Sequence, residues 1–453
     1  MLKQVNRLLI WLASWAVMPV SVLWVLCQLV RHVGKFRRAD LVFHDVYMSN
    51  YGTAMCNIAV ALRHHKGKNI LMSLLFERGS THNLKLGLIY RDVNVLFLRK
   101  PCLVFHIMGR KFRIPSDRIF IPVKEAVAKF FMSLFAPKAS FEPFARLVDY
   151  QKPPPEFQGI IPENYAGTKI RGLCSAFLFI AHCKAEHKDH SLSELKLPEP
   201  IRRNIHQKLV QARQGKPARL CMLYNKLEEN ADSPRQGSPL EAYLPAVRLL
   251  VARGYQVLLA GDKFLEGEAL EAFNGMVVTA WSLEVDLDLF RLFTATEADI
   301  LIGESGGGFM LPLVVGLPIL ALNYYPFGIG APGTWVYPKR YTDLAGNFVP
   351  YERAIAEDLY GYYDPDRPGP KPLSIIPVCN SEEEITEAVS HFLEDLENPD
   401  GEAPGEELMK IVPEMSLFHI YGSRFSPSFI RRDREVSAFL DSCAPRPRDR
   451  EAG

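Results

Sequence analysis

A run of glycines follows a short apolar segment in the second half of the chain. Residues 298–302, Ala-Asp-Ile-Leu-Ile, lead directly into Gly303-Glu-Ser-Gly-Gly-Gly308. Glycines let the backbone approach a ligand closely, and free N–H groups where a helix begins attract anions such as a diphosphate. A tight turn between a strand and a helix would need the same small residues. The hydroxyl of Ser305, and a further apolar strand ending at Asn323, favour a ligand site.

Two other patterns resemble metal-binding sequences but lack their spacing. Residues 182–190 carry three histidines and a cysteine, yet the segment is rich in lysine, which is typical of a solvated loop. Asp286-Leu-Asp288 falls in a predicted helix, and Asp364-Pro-Asp366 falls in a loop rich in proline and glycine. Neither pair follows an apolar strand, so we expect no metal site.

Apolar runs alternate with helical patterns on both sides of the glycines. The predicted strands are 218–224, 256–260, 276–279, 299–302 and 318–322. The predicted helices are 265–273, 283–293, 309–315 and an amphipathic helix at 381–396 with a capping box of Ser381 and Glu384. A further helix starts at an N-cap, Ser238, with Glu241 as the acid of a capping box, and stops at Gly254. Pro245 either kinks it or delays its start. This alternation predicts a Rossmann-like sheet.

The first half of the chain is less regular. Residues 41–44 predict a strand that leads into a polar loop at 45–52, and residues 53–62 follow with helical spacing. Residues 69–75 and 93–98 predict two more strands. Strands that alternate with helices imply a parallel sheet covered on both faces. From residue 101 to 215 the pattern loosens into the remainder of a first domain and a linker.

The composition favours two domains and excludes some partners. A chain of 453 residues with 48% hydrophobic content can form two cores, since single cores seldom exceed roughly 250–300 residues. The 53 Lys and Arg against 51 Asp and Glu leave a net charge of +2, which does not indicate a nucleic-acid partner. The eight cysteines have no paired spacing, so they are expected to be buried thiols in a reducing compartment.

An uncharged segment near the N-terminus predicts association with a membrane. Residues 8–30 carry no charge and are long enough for the roughly 20 residues that a bilayer core requires. Pro19 leaves open a kinked spanning helix or an in-plane hairpin, and a buried core helix is the alternative. The heavier basic cluster at residues 31–38 favours a cytoplasmic location for the following domains.

The glycine run also carries a resemblance to a known family. Residues 296–323 resemble the small-residue loop, helix, Gly-x-Pro and strand of GT-B glycosyltransferases. They resemble more closely a family, assigned as glycosyltransferases, found with bacterial surface-polysaccharide genes. Residues 240–262, which end in Gly261-Asp262, are similar to the same family, with weaker similarity at 381–396 and 425–429. One departure is Tyr224-Asn225-Lys226, where the family has a loop bearing His or Arg.

The resemblance implies an α/β fold with two Rossmann-like domains that face a cleft, the GT-B architecture, preceded by the membrane segment. The expected divisions are 1–38 as the anchor, 39–215 as the acceptor domain, 216–400 as the donor domain, 401–443 as a segment packing back toward the first domain, and 444–453 as a disordered tail.

The resemblance also implies roles for residues at the donor site. Ser305, Gly306 and Gly307 would cradle the donor diphosphate. Lys226, Arg235 or Lys263 would neutralise charge on the leaving nucleotide. For each cation taken alone, the residue type favours the alternative, a solvated surface position. Glu304 and Asp262 end two strands and could accept hydrogen bonds from sugar hydroxyls or cap their loops. Asn323, at the end of the strand after the glycine run, completes the expected donor-binding set.

The acceptor hydroxyl needs a base, and His44 with Asp45 at the end of the first strand are the candidates. Asn50 and Tyr51, in the loop beyond, are the expected acceptor-binding residues. A structural hydrogen-bonded His/Asp pair is the alternative to catalysis.

The expected function is sugar transfer from a nucleotide sugar to a lipid-linked or membrane-proximal glycan acceptor, with no cofactor besides the donor. A nucleotide-sugar epimerase of the same fold and a non-catalytic membrane-associated sugar-binding scaffold are the alternatives.

Overall fold

The computed structural model describes the chain in two parts. The residues described are 31–47, 68–76, 94–99, 104–107, 110–113, 133–136, 138–142, 195–226, 236–304, 306–325, 333–350, 375–398, 423–433 and 435, with the single positions 23, 27, 30, 62, 85, 88, 89 and 130. Two compact units divide the chain, Met1–Asp149 and Tyr150–Gly453. The domain limits expected from the sequence stay predictions.

Unit 1 contains a four-stranded sheet in which every pairing is parallel. Its strands are β1 (Leu41–Tyr47), β2 (Ile70–Phe76), β3 (Asn94–Arg99) and β6 (Ser140–Glu142) in the order β3-β2-β1-β6. A separate antiparallel hairpin joins β4 (Val104–Ile107) to β5 (Arg110–Arg113). The short helix α1 (Val33–Arg38) precedes β1. Its Phe36 is buried, as are Leu41 and Val42 of β1.

Strand β1 is longer than its apolar run predicts. The prediction ended the strand at His44, whereas the structure continues it to Tyr47. Pairing with β2 explains the extension, because Val46 and Tyr47 lie in register with Leu74 and Leu75. Pairing with a strand that is distant in sequence therefore extends β1 into the first residues of the predicted polar loop.

Unit 2 contains a seven-stranded sheet that is parallel throughout. Its strands are β7 (Arg219–Tyr224), β8 (Tyr255–Leu259), β9 (Val277–Val278), β10 (Ile300–Glu304), β11 (Ile319–Tyr324), β12 (Trp335–Pro338) and β16 (Arg424–Phe425). Their order is β9-β8-β7-β10-β11-β12-β16. The chain runs from β7 outward to β9, then returns to the other side of β7 with β10. This is the doubly wound order 3-2-1-4-5-6 with one added strand.

Helices alternate with these strands. They are α2 (Glu199–Ala212), α3 (Leu244–Ala252), α4 (Glu268–Glu271), α5 (Leu287–Glu297), α6 (Met310–Val315) and α7 (Glu382–Glu397), and residues 427–433 are also helical. Single turns of 3₁₀-helix at Leu240–Tyr243 and Gly307–Phe309 precede α3 and α6. A small antiparallel sheet has the order β14 (Phe348–Val349), β13 (Arg340–Asp343) and β15 (Ile375–Val378).

Local sequence signals account for several helix ends. The predicted capping box is confirmed: the Glu384 N–H donates to Ser381 Oγ and the Ser381 N–H donates to Glu384 Oε2. Pro245 lies in the first turn of α3, so it delays the helix and does not kink it. Gly254 follows α3 with a φ of +81°, as expected of a helix stop.

Three predicted helix limits are wrong. The helix expected at 265–273 is reduced to α4, and the one expected at 283–293 begins only at Leu287. Asp286 caps it, because its carboxylate accepts a hydrogen bond from the Leu289 N–H at 3.1 Å. Ser238 is not an N-cap, since its hydroxyl is fully buried and donates to the carbonyl of Asn380.

Helix α2 belongs to unit 2, earlier in the chain than the expected start of the donor domain. Its Lys208 donates to the carbonyl of Leu283 at 2.8 Å, and the ring of His206 packs edge-on against Phe293 of α5.

The predicted membrane segment, residues 8–30, lies outside the described residues except at Leu23, Cys27 and Val30. Among the residues that can be described, no helix combines the length and apolar character needed to cross a bilayer.

Candidate functional site

The carboxyl ends of β7 and β10 meet where the order of unit 2 reverses. The two strands are paired, with Gly303 in register with Tyr224. The residues that follow them, Asn225 and Glu304, therefore lie side by side at the edge of the sheet. In open α/β sheets, ligands bind in the crevice outside this point, because the loops on its two sides diverge.

A buried carboxylate, that of Glu304, holds this edge together. The side chain is 3% exposed. Its Oε2 accepts a hydrogen bond from the Lys226 N–H at 2.7 Å. Its Oε1 accepts from the Ser238 N–H at 2.8 Å and the Tyr243 hydroxyl at 2.7 Å. The carboxylate thus joins the loop after β7, the segment before α3 and the 3₁₀ turn.

The amide of Asn323 extends this cluster to β11. Its Nδ2 donates to Glu304 Oε1 at 3.1 Å and to Ser238 Oγ at 2.9 Å. Its backbone N–H donates to Asn380 Oδ1 at 2.6 Å, and the Asn380 N–H donates back to Asn323 Oδ1 at 2.7 Å. Asn323 adopts a φ of +49°, a left-handed conformation that asparagine tolerates better than most residues. We name the five residues Ser238, Tyr243, Glu304, Asn323 and Asn380 the Glu304 network.

Close packing against the carboxylate requires a glycine at position 237. A Cβ atom there would lie 1.7 Å from Glu304 Oε2. Burial raises the pKa of Glu304 above its usual value, although the hydrogen bonds from Tyr243 and Lys226 act in the opposite direction. Desolvation of the charged form therefore outweighs the donors that surround it.

A buried lysine, Lys339, reinforces the same segment. Its side chain is 1% exposed, and its Nζ donates to the Gln236 carbonyl and to Cys379 Sγ. Lys263 Nζ donates to the Ser238 carbonyl at 2.9 Å. Two ammonium groups thus hold the backbone carbonyls of Gln236 and Ser238, on either side of Gly237. These contacts fix the segment that leads into α3.

The ring of Tyr224 explains several glycines of the 303–308 run. A Cβ on Gly308 would lie 2.2 Å from Tyr224 Cε2, and one on Gly303 would lie 2.1 Å from the Tyr224 carbonyl oxygen. A Cβ on Gly306 would lie 3.1 Å from the Tyr224 hydroxyl. Burial raises the pKa of Tyr224 to about 12, so its hydroxyl is neutral near pH 7. Tyr224 therefore packs closely against the backbone of the glycine loop.

The loop after β8 lies beside Asn225. The Asp262 N–H donates to the Asn225 carbonyl at 2.8 Å, and the Lys263 N–H donates to Asn225 Oδ1 at 3.3 Å. Gly261 permits this approach, because a Cβ there would lie 2.1 Å from Asn225 Oδ1. Arg291 of α5 donates to Asp262 Oδ1 at 3.1 Å and to the Gly261 carbonyl at 2.8 Å. Asn225 Nδ2 is buried and has no hydrogen-bond partner among the described residues.

The structure brings most of the expected donor-site residues to this edge of unit 2. These are Lys226, Asp262, Lys263, Glu304, Gly306, Gly307 and Asn323. Of the charged residues, Glu304 is buried, Lys226 and Lys263 are half-buried, and Asp262 is 36% exposed. Arg235 and Ser305 lie outside the described residues. The donor-binding roles stay predictions.

In unit 1, His44 and Asp45 lie on β1, where the sheet order also reverses. Strand β1 has β2 on one side and β6 on the other. Phe43 is in register with Met72 and Val46 with Leu74, so three residue steps on β1 face two on β2. This irregularity has the form of a β-bulge at His44 and Asp45, a feature that recurs beside active sites. Asn50 and Tyr51 lie outside the described residues.

Sequence reasoning missed Tyr243, Lys339 and Asn380. The signal for Tyr243 was only its place within the helix predicted between Ser238 and Gly254, and Lys339 gave no signal because lysine is rarely buried. Within the described ranges, no three His, Cys, Asp or Glu side chains come together as metal ligands.

Comparisons with known proteins give structural likenesses alone. No family model matches the chain, and no curated protein matches it significantly in sequence. The glycosyl transferase family 9 structure from Veillonella parvula DSM 2008 is similar with 12% identity and a TM-score of 0.38, covering 80% of this chain and 99% of that one.

Two further structures are similar at lower scores. UDP-GlcNAc 2-epimerase from Neisseria meningitidis, bound to UDP-GlcNAc, has 10% identity and a TM-score of 0.29, covering 89% of this chain and 99% of that one. The wall teichoic acid polymerase TagF has 12% identity and a TM-score of 0.27, covering 97% and 99%. Structural likenesses at these scores do not assign a function to this chain.

The raised pKa of Glu304 predicts a pH dependence of stability. Between the ordinary glutamate value of 4.5 and the raised value, the folded chain holds a proton that the unfolded chain has lost. Stability therefore falls as the pH rises through this window. In Glu304→Gln this contribution is absent. The free energy of unfolding of wild type minus that of the variant should therefore be greatest near pH 4 and decline as the pH rises. Urea unfolding at a series of pH values measures it.

Glu383→Gln is the matched control for this experiment. The Ser381 hydroxyl lowers the pKa of the exposed Glu383, so its contribution should have the opposite sign and be lost as the pH falls. A difference between wild type and Glu304→Gln that grows as the pH rises from 4 would contradict the raised pKa.

The packing of Tyr224 predicts that alanine substitutions at different positions of the glycine loop lower the stability by different amounts. Gly308→Ala should lower the free energy of unfolding by about 1–3 kcal/mol, because its new methyl group meets the ring at 2.2 Å. Gly306→Ala, where the nearest atom lies at 3.1 Å, should cost less. In a Tyr224→Leu background the Gly308→Ala cost should shrink, as urea unfolding in a double-mutant cycle would show. Equal costs in both backgrounds would contradict this packing.

Proposed function

We propose that this chain is a glycosyltransferase of the GT-B type, which transfers a sugar from a nucleotide-sugar donor to a lipid-linked or membrane-proximal acceptor in surface glycan synthesis. The observation that carries the proposal is the convergence of the glycine loop with Lys226 and Lys263 at the switch point of the parallel sheet in unit 2. The resemblance of residues 240–262 and 296–323 to glycosyltransferases supports the same activity.

The chemistry needed at this edge is stabilisation of a leaving diphosphate. When the bond from the anomeric carbon to the diphosphate oxygen breaks, negative charge grows on that oxygen. Fixed N–H donors and cations aimed at that charge lower the barrier. We assign the donors to the backbone of Gly306 and Gly307 with the Ser305 hydroxyl, and the charge to Lys226, Lys263 or Arg235. Such a site needs no metal ion or further cofactor.

The acidic residues divide into two roles in this proposal. Glu304 acts through the loops that it holds, because its carboxylate already accepts four hydrogen bonds inside the fold. Asn323 supports it in the same network. We assign to Asp262, whose side chain is 36% exposed, the acceptance of a hydrogen bond from a sugar hydroxyl of the donor.

The acceptor side of the reaction is assigned to unit 1. His44 would take the proton of the acceptor hydroxyl as its oxygen attacks the anomeric carbon, and Asp45 would stabilise the resulting imidazolium. Asn50 and Tyr51 are the proposed acceptor contacts. The bulge in β1 supports this assignment, since β-bulges are over-represented next to active sites.

The proposed location is the cytoplasmic face of a membrane. The uncharged segment 8–30 and the basic residues that follow it support this location. A lipid-linked acceptor would then reach the enzyme by diffusion in the same bilayer.

Donor binding is the first test. The full-length chain in detergent should bind one class among UDP-, GDP- and dTDP-sugars saturably in isothermal titration. Gly307→Asp should abolish this binding, because it adds a negative charge where the diphosphate lies. Gln207→Glu, which adds the same charge on the exposed face of α2, should leave binding intact. A folded wild-type chain that binds none of these sugars would contradict the proposal.

A second test separates transfer from the two alternatives. His44→Ala and Asp45→Ala should abolish release of free nucleotide in the presence of an acceptor lipid extract, while donor affinity stays within about twofold of wild type. Release of free nucleotide distinguishes a transferase from an epimerase. Wild-type turnover that both variants retain would overturn the acceptor-side assignment, and the absence of any turnover with intact donor binding would favour the scaffold.

A further inference from the structure

An exposed tryptophan lies at the carboxyl edge of the unit 2 sheet. Trp281 follows β9 and is 56% exposed, whereas Trp335 in β12 is 8% exposed. Tryptophan is highly buried on average, because its large apolar ring is stabilised by leaving water. An indole left half in solvent at this edge of the sheet is therefore available for contact with a ligand.

The turn that carries Trp281 is fixed by hydrogen bonds. The Thr279 N–H donates to Ser282 Oγ at 2.9 Å, and the Ser282 N–H donates to Thr279 Oγ1 at 3.0 Å. The Glu284 N–H donates to the Trp281 carbonyl at 2.9 Å. Lys208 Nζ donates to the Leu283 carbonyl at 2.8 Å and so ties the turn to α2. Hydrogen bonds within the turn and from α2 thus stabilise the backbone that carries the indole.

A second aromatic ring orients the indole. Phe264, in the loop after β8, contacts Trp281 edge-to-face with ring centroids 4.3 Å apart and planes at 85°. Phe264 directly follows Asp262 and Lys263, which approach Asn225 at the switch point. The aromatic pair and the proposed donor site therefore share one loop.

The sheet order sets the distance between the turn that carries Trp281 and the glycine loop. Strands β9, β8, β7 and β10 are consecutive neighbours. With neighbouring strands about 4.8 Å apart, the end of β9 lies about 14 Å along the edge from the end of β10. A nucleoside diphosphate that begins at the glycine loop can run along this edge past Lys263 toward Trp281.

From this arrangement we infer that Trp281, oriented by Phe264, is the stacking surface for the nucleobase of the donor. The inference rests on the proposed function and deepens it. A single indole is too small a surface for a stable protein interface, which buries about 800 Å² per partner, and the loop that carries its neighbour Phe264 also carries the charged Asp262 and Lys263. The indole matches the face of one nucleobase, whose stacking on an aromatic side chain is tolerant of base identity.

The test compares ligands with and without a base. Full-length wild type and Trp281→Ala are titrated with the nucleoside diphosphate of the bound donor class and with inorganic pyrophosphate. Trp281→Ala should weaken nucleoside diphosphate binding roughly 5- to 150-fold and leave pyrophosphate binding unchanged. Trp281→Phe should retain most of the affinity. Leu344→Ala, at a leucine that is 75% exposed on the small antiparallel sheet, is the matched control and should bind as wild type does.

Each other outcome overturns the inference in a recognisable way. If wild type binds no nucleoside diphosphate, the proposed function fails and the inference fails with it. If wild type binds and Trp281→Ala binds equally well, only the stacking role fails. Equal weakening of both ligands would mean that Trp281 acts through the fold. Loss of sedimentation with anionic-lipid vesicles at unchanged nucleotide affinity would assign the ring to a lipid surface.

Discussion

The buried carboxylate of Glu304 is the interaction on which the edge of unit 2 depends. It accepts hydrogen bonds from the loop after β7, from the segment before α3, from the 3₁₀ turn and from β11. Removal of such a group would leave several buried donors without a partner, at about 1–3 kcal/mol each. The raised pKa shows that burial itself is unfavourable for the charged form. The fold retains this costly group where it joins several loops, and the proposed ligand site requires such a rigid, pre-formed edge.

The same organisation recurs in the two units, each taken by itself. In unit 2 the order reverses between β7 and β10, and in unit 1 it reverses between β1 and β6. The proposed donor residues lie at the first reversal and the proposed base lies at the second. The glycine loop in unit 2 has a structural role as well, because Tyr224 occupies the space that side chains would need. Alanine at Gly303 or Gly308 would therefore be unfavourable whether or not the loop binds a ligand.

Much of the fold could be predicted from local sequence. The strands of the second half follow from continuous apolar runs, because parallel strands are buried on both faces. The capping box at Ser381 and the stop at Gly254 depend on residues within a few positions, and both were found. The bulge in β1 and the end of that strand were not, since they depend on a register with β2, which lies some thirty residues away.

The site was predictable only where its residues are close in sequence. The glycine loop and the strand ends at Asp262 and Asn323 could be located, because motifs mark them. The Glu304 network could not, since Tyr243 lies 61 residues from Glu304 and Asn380 lies 57 residues from Asn323. Only the folded sheet brings them together. For the same reason, the contact of the buried Lys339 with Gln236, 103 residues away, could not be predicted from the sequence.

A crystal structure of the full-length chain with the nucleoside diphosphate of its donor would locate the donor site. The proposed donor site predicts that the diphosphate oxygens lie within hydrogen-bond distance of the Gly306 and Gly307 N–H groups and of Lys226 or Lys263. It also predicts that the contacts of Glu304 remain as described. A nucleotide bound at another edge of the sheet, or a diphosphate that contacts Glu304 after its network has broken, would contradict it.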